Sequence, residues 1–225
     1  MSRRYDLVVF DWEGTLSDPL GHVLSILTEQ ARGFGFPVFD EQLARRCVGL
    51  GLDRAVKKLF PSLALYQHER LLSGVQQALH TDHGEVCLFP GAKQLIVHLQ
   101  HAGIALSIAT NKGSHALQRA LQLTELDSFF PVTRSADQAP AKPCPQMLEE
   151  IMSDLGVLPA ATLMIGDSVA DIEMARSADV EGIGVDFYHQ PTDDLKNAGA
   201  SYVFDNYDQI GCYLQLPAYL NHHDF

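Results

Sequence analysis

Cysteine is scarce in this chain of 225 residues, and the four present do not stand in CxxC spacing. That excludes a disulfide-stapled scaffold and a cysteine-based metal knuckle. Cys47, Cys87, Cys144 and Cys212 read instead as reduced thiols of a cytoplasmic protein. Long apolar runs are missing too: none approaches the ~20 residues that a membrane span requires. The basic start Met-Ser-Arg-Arg gives way at Tyr5-Asp6 before any stretch long enough for a signal peptide. Positive charge is short as well, with 16 Lys and Arg against 28 Asp and Glu, for a net charge of −12. Such a surface repels phosphodiester backbones, and no basic run offsets it, so nucleic acid is not an expected partner. Repeats and low-complexity segments are absent.

What remains is an ordinary globular composition, 46% hydrophobic and 20% charged. A chain of this length buries roughly 70–75% of its unfolded surface and folds without metal or disulfide support. An acidic monomer is the default expectation. The apolar run Tyr5-Asp-Leu-Val-Val-Phe-Asp11 reads as a buried strand ending on a carboxylate. Asp18-Pro19 reads as a helix start, Asp capping and Pro at the first helical position. From there to about residue 88 the pattern is helical, with Val23, Leu24, Leu27 and Ala31 on one face and no strand-like run.

Beyond Pro90-Gly91 helices and strands alternate. Strands are predicted at Ile104–Thr110, near 129–133, at Thr162–Asp167, at Gly182–Val185 and at Tyr202–Phe204. Helices are predicted over 92–102, 114–123, 144–155 and 169–178, with a short one before Tyr202. Alternation of this kind argues for α/β architecture: a Rossmann-like, doubly wound parallel sheet covered on both faces. Asp11 and Thr110 lie about a hundred positions apart, where a βαβ unit needs only about thirty. The surplus matches the helical block. We therefore divide the chain into a core of 1–16 and 89–225 and an inserted, mostly helical cap of 17–88. An insert there follows the carboxyl end of the first strand, the sheet edge where ligands bind.

Asp11 and Asp167 both end apolar strands, and Asp171 follows one helical turn later. Carboxylates converging on that edge repel one another, and a hard cation such as Mg²⁺ relieves the repulsion. Taken singly, each Asp reads equally well as a helix cap. Thr110-Asn111 offers a hydroxyl and an amide to a phosphoryl group, or simply starts a helix. Lys142-Pro143 stands in a proline-flanked loop, where the lysine either neutralises a transferring phosphoryl group or is an unremarkable surface charge.

Together, in order, Asp11-Trp12-Glu13-Gly14-Thr15-Leu16, Thr110-Asn111, Lys142-Pro143 and Gly166-Asp167-Ser168-Val169-Ala170-Asp171 resemble the four motifs of the haloacid dehalogenase superfamily of phosphohydrolases. The helical insert is similar to the cap of its phosphoglycolate phosphatase and β-phosphoglucomutase branch, and Thr110-Asn111-Lys112 looks closest to the former. The resemblance implies that Asp11 is a nucleophile forming an aspartyl-phosphate and that position 13 is the general acid–base. It implies Mg²⁺ held by Asp11, the carbonyl of Glu13 and Asp167, with Asp171 binding directly or through water. Thr110, Asn111 and Lys142 would then hold a small phosphorylated metabolite.

Two departures from the family pattern stand out. Glu13 occupies a position where the family places Asp, which moves the carboxylate outward by a methylene; a working but slow phosphatase is the expectation. Asp179 stands where the family has Gly at the end of a helix, with only a structural cost expected. In the cap, Gly49-Leu-Gly51 leads into a helix whose Arg54 is a candidate partner for a substrate anion, or a solvated surface charge like Lys57 and Lys58. His80-x-x-His83, His98-x-x-His101 and His222-His223 read as surface histidines rather than a metal site. Two alternatives stay open: a phosphomutase of the same branch and a binding or regulatory protein weakened at Glu13. Phosphonate hydrolysis would want a cap lysine forming a Schiff base, for which Lys57 and Lys58 are weak candidates. Dehalogenation needs no metal and would leave Asp167 and Asp171 unexplained.

Overall fold

The computed structural model describes residues 4–47, 50–81 and 86–220. Gly49, His83 and the His222-His223 pair lie outside the described residues. The first strand, β1 (Leu7–Phe10), is followed by four helices: α1 (Pro19–Gly33), α2 (Glu41–Arg45), α3 (Leu52–Leu59) and α4 (Leu65–Thr81). Then α5 (Ala92–His101), β2 (Ala105–Thr110), α6 (Ser114–Leu123), β3 (Val132–Ser135), α7 (Gln146–Leu155) and β4 (Thr162–Gly166) alternate. The chain continues through α8 (Val169–Ser177), β5 (Glu181–Val185), α9 (Asp193–Ala198), β6 (Val203–Phe204), α10 (Tyr207–Tyr213) and α11 (Pro217–Leu220). No helix among the described residues is long and apolar enough to cross a membrane.

The six strands form one parallel sheet in the order β3-β2-β1-β4-β5-β6. This is a Rossmann-like α/β sheet, and its order reverses between β1 and β4. In open sheets of this kind the crevice at that reversal, beyond the carboxyl ends of the strands, receives ligands. β1 is central and buried on both faces, which is why its sequence is a continuous apolar run rather than an alternating one. Leu7 and Val9 face a core with Met147, Ile151, Met164 and Met174. Phe10 points to the other face, where Phe130 meets its ring edge-on at 6.3 Å between centroids.

Two compact units are formed. One gathers the residues up to Ser17, Leu88–Phe187 and those from Pro191 onward; the other holds Asp18–Cys87 with Tyr188–Gln190. In the helical unit Leu24, Leu27, Val56, Phe60, Leu71 and Val75 form the core. Its first helix begins as its sequence dictates: the Asp18 side chain accepts from the Gly21 amide at 2.7 Å, and Pro19 occupies the first turn. Asp18 also accepts from Arg45 at 2.8 Å and from the Tyr188 hydroxyl at 3.1 Å. The inclusion of Tyr188–Gln190 in this unit had no counterpart in the sequence pattern.

Two local expectations need correction. The third strand begins at Val132 rather than near 129, because Asp127–Phe129 closes a 3₁₀ turn that buries Phe130 from outside the sheet. The apolar Phe129-Phe130 pair mimics a strand start. The two last helices, α10 and α11, follow segments too short for periodicity to reveal. Asp179, by contrast, does take a left-handed conformation, with φ of 56°. Asp tolerates that region better than bulkier residues do.

Candidate active site

The register of the sheet builds the site. Phe10 pairs with Ile108 on one side and Ile165 on the other. Asp11 lies one step beyond that row, and Thr110 and Asp167 lie two steps beyond it, so all three reach the same edge. The Asp11 amide donates to the Ile165 carbonyl at 2.9 Å, which extends the β1–β4 ladder to the carboxylate itself. Beyond it the chain folds back sharply: the amides of Leu16 and Ser17 both donate to the Trp12 carbonyl, and Gly14 donates to the Ser17 carbonyl. Gly14 holds φ of +84°, and a Cβ there would stand 2.1 Å from an Asp167 carboxylate oxygen. Glycine is required at this position both for its backbone and for room.

The fourth segment is shaped by a helix cap. Ser168 begins α8 in a capping box with Asp171. The Asp171 Oδ2 atom accepts from the Ser168 amide at 3.0 Å and from its hydroxyl at 2.7 Å. Its Oδ1 atom accepts from Lys142 Nζ at 2.6 Å, and the same ammonium donates to Asp11 Oδ1 at 2.5 Å. The cap and the converging carboxylate are thus not competing descriptions of Asp171: one side chain does both. Asp11, Asp167 and Asp171 each bring an oxygen within 4.8 Å of the others, the only such acidic or histidine group among the described residues.

Charge in this cluster does not balance. Three buried or half-buried carboxylates face one ammonium. Burial, relieved in part by Lys142 but aggravated by Asp171, pushes the Asp11 carboxyl up to about 6. Burial and then repulsion from Asp11 and Asp171 push Asp167 up to about 7. Burial acts to lower Lys142, yet its two carboxylate partners outweigh that and hold it above its usual value. The donor set is hard oxygen with a surplus of negative charge, which fits a hard divalent cation such as Mg²⁺.

The remaining predicted residues divide. Thr110 is buried at the edge, and its hydroxyl oxygen accepts from the Lys112 amide at 3.2 Å. Asn111 spends its carboxamide oxygen on the Lys142 backbone amide at 3.0 Å, which anchors the lysine loop to the end of β2. The Glu13 side chain does not join the carboxylate group: it is 57% exposed and pairs with Lys112 at 2.6 Å. Arg54 lies exposed on α3 in the helical unit. Lys57 pairs with Asp53 one turn earlier, as a surface helix charge does. His98 packs against the Tyr219 ring.

Sequence reasoning missed three participants. Thr15 donates to Asp167 at 3.4 Å, and Ser168 orients Asp171; both sit inside the motifs and were legible there as hydroxyls. Tyr207, fully buried on α10, donates its hydroxyl to the Thr15 carbonyl from 192 residues away. Nothing in the sequence announces it. Its phenol is held well above the usual value, first by burial and then by Asp11 and Asp167.

Comparison with known proteins decides the family. The model for haloacid dehalogenase-like hydrolases matches residues 8–185, from β1 to the end of β5. The chain belongs to this family. A protein of Dickeya dadantii named probable phosphatase IndB is 32% identical over 212 residues, covering 91% of each chain. A phosphoglycolate phosphatase of Mesorhizobium japonicum is 34% identical over 194 residues, covering 80% of this chain and 82% of its own. The fold of this hydrolase superposes on the crystal structure of a predicted phosphoglycolate phosphatase from Haemophilus somnus with a TM-score of 0.62. That match covers 93% of this chain and 98% of the other at 23% identity. All four segments that assemble the site lie within the span matched by the family model, whereas Tyr207 lies beyond it.

Proposed function

We propose that this hydrolase is a Mg²⁺-dependent phosphatase that cleaves a small phosphate monoester, phosphoglycolate-like or a sugar phosphate, through an aspartyl-phosphate on Asp11. The observation that carries this reading is the position of Asp11: at the sheet's switch point, buried, paired to Lys142 and converging with Asp167 and Asp171. The names of the relatives, phosphatase and phosphoglycolate phosphatase, support it.

Asp11, Asp167 and the Glu13 carbonyl would hold Mg²⁺, which would supply charge to offset the negative carboxylates and phosphoryl group. Asp171 serves Lys142 and Ser168 with its two oxygens and would contribute to the ion's site directly or through water. Asp11 attacks phosphorus and the bond to the ester oxygen breaks. Thr110 and Lys142 hold the phosphoryl oxygens, and Lys142 keeps Asp11 ionised for the attack. Glu13 gives a proton to the departing alkoxide, then takes one from the water that opens the acyl phosphate. Inorganic phosphate and the free aspartate result.

A phosphate-release screen over small phosphate esters, with and without Mg²⁺, tests the reading. Release is expected from at least one ester, dependent on Mg²⁺, and lowered on the order of a thousandfold or more in Asp11→Asn. Tight binding of an ester with no release from any would replace it with the binding-protein reading.

A further inference from the structure

The turn after β2 carries a second lysine for which the proposed reaction has no task. The backbone amide of Lys112 donates to Thr110, a residue proposed to hold the phosphoryl group, and its side chain reaches Glu13 at 2.6 Å. This pair sits at the rim rather than in the buried cluster: the Glu13 side chain is 57% exposed and that of Lys112 26%. In this position Glu13 stands apart from the three aspartates that converge with one another.

We propose that Lys112 is a positioning and specificity-determining residue with two alternative partners. In the free protein it holds the Glu13 carboxylate at the rim. When a substrate with an anionic group on its alcohol part binds, that group takes the ammonium and frees Glu13 to turn onto the ester oxygen. This inference rests on the phosphatase reading given above.

Three features support the exchange. An exposed ion pair is weakly held, so a substrate anion displaces one partner at little cost. Lysine is a flexible point charge with three donors and accepts a new carboxylate without a fixed fork geometry. Reach sets the substrate class. The Lys112 amide donates to Thr110, proposed to hold the phosphoryl group, so this lysine stands beside the reacting end of the substrate. The anion must therefore follow the ester oxygen closely, as a carboxylate one carbon away does.

Two esters of matched size separate the outcomes: 2-phosphoglycolate, whose tail is a carboxylate, and 2-hydroxyethyl phosphate, whose tail is neutral. With Mg²⁺ present, Lys112→Met is expected to lose about tenfold in kcat/KM on phosphoglycolate, carried largely by KM. Its KM on the neutral ester stays unchanged, and Lys112→Arg keeps the parent's preference for the charged tail. Equal losses on both esters, or no loss on either, would overturn the inference. Calorimetric affinities of both esters for Asp11→Asn, with and without Lys112→Met, give a reading independent of turnover. A preference for the charged ester that disappears with Lys112 supports the proposal, and a preference that survives its removal sinks it. Should the parent hydrolyse neither ester, these affinities still decide the role of Lys112, while the phosphatase reading stands or falls on the wider ester screen.

Discussion

Two lysine–carboxylate contacts meet the segment from Asp11 to Glu13, and they are physically unlike. Lys142 is 3% exposed and grips Asp11 and Asp171, themselves 10% and 1% exposed. Lys112 grips Glu13 at the rim, where the two side chains are 26% and 57% exposed. The same charges carry very different weight in the two places. In the interior each partner has lost its hydration and depends on the other. At the rim, solvent stands ready to replace either one. The buried contact is suited to hold Asp11, the proposed nucleophile, still; the exposed one is suited to let Glu13, the proposed acid–base group, move.

The sharpest way to break this contrast is to remove each lysine. Lys142→Met strands Asp11 and Asp171 as uncompensated buried groups, and a loss of about 3–5 kcal/mol in urea unfolding is expected at neutral pH. A loss under about 1 kcal/mol would mean that the interior pair behaves like a surface one.

A pH series sharpens the same point on the carboxylates. The folded values of Asp11 and Asp167 are raised, to about 6 and about 7. A raised carboxyl favours folding while protonated, so this contribution is complete below the unfolded value of about 4 and fades as pH climbs through 6 and 7. In metal-free protein the thermal midpoint is expected to fall between pH 5 and pH 8. Mg²⁺ should restore more at pH 8 than at pH 5, since the ion binds the ionised forms. A midpoint that rises over that interval without metal contradicts the crowding of these carboxylates.

The smallest effect is expected at the rim. Lys112→Met should change unfolding free energy by about 0–1 kcal/mol, whatever it does to turnover. A larger loss would make the Glu13–Lys112 pair a structural bond and erase the distinction between the two lysines.

The strands that carry the site were legible because central parallel strands are buried on both faces. β1, β2 and β4 therefore read as largely apolar runs, β1 and β4 followed at once by Asp11 and Asp167 and β2 ending on Thr110. β3 was misplaced because Phe129-Phe130 is apolar for a reason other than pairing: a turn buries Phe130. The capping of α1 was written locally in Asp18-Pro19, and so was legible. The roles of Asn111 and Glu13 were not. Their partners in the structure had no local signal: Asn111 secures a loop backbone and Glu13 meets a neighbouring lysine.

The sequence by itself determined the parallel α/β layout, which carboxylates stand at strand ends and which lysines follow in the loops. Hydrophobic period, turn residues and caps act over a few positions, and those are what a sequence displays. Only the tertiary structure decided the partners: Lys142 on Asp11 across 131 positions, Lys112 on Glu13 across 99, and Tyr207 beneath Thr15 across 192. Such pairings depend on how the strands and loops stack, and on which charge the packing closes off from water. No local pattern encodes that burial, so the difference between a buried lysine and one paired at the rim appears only in three dimensions.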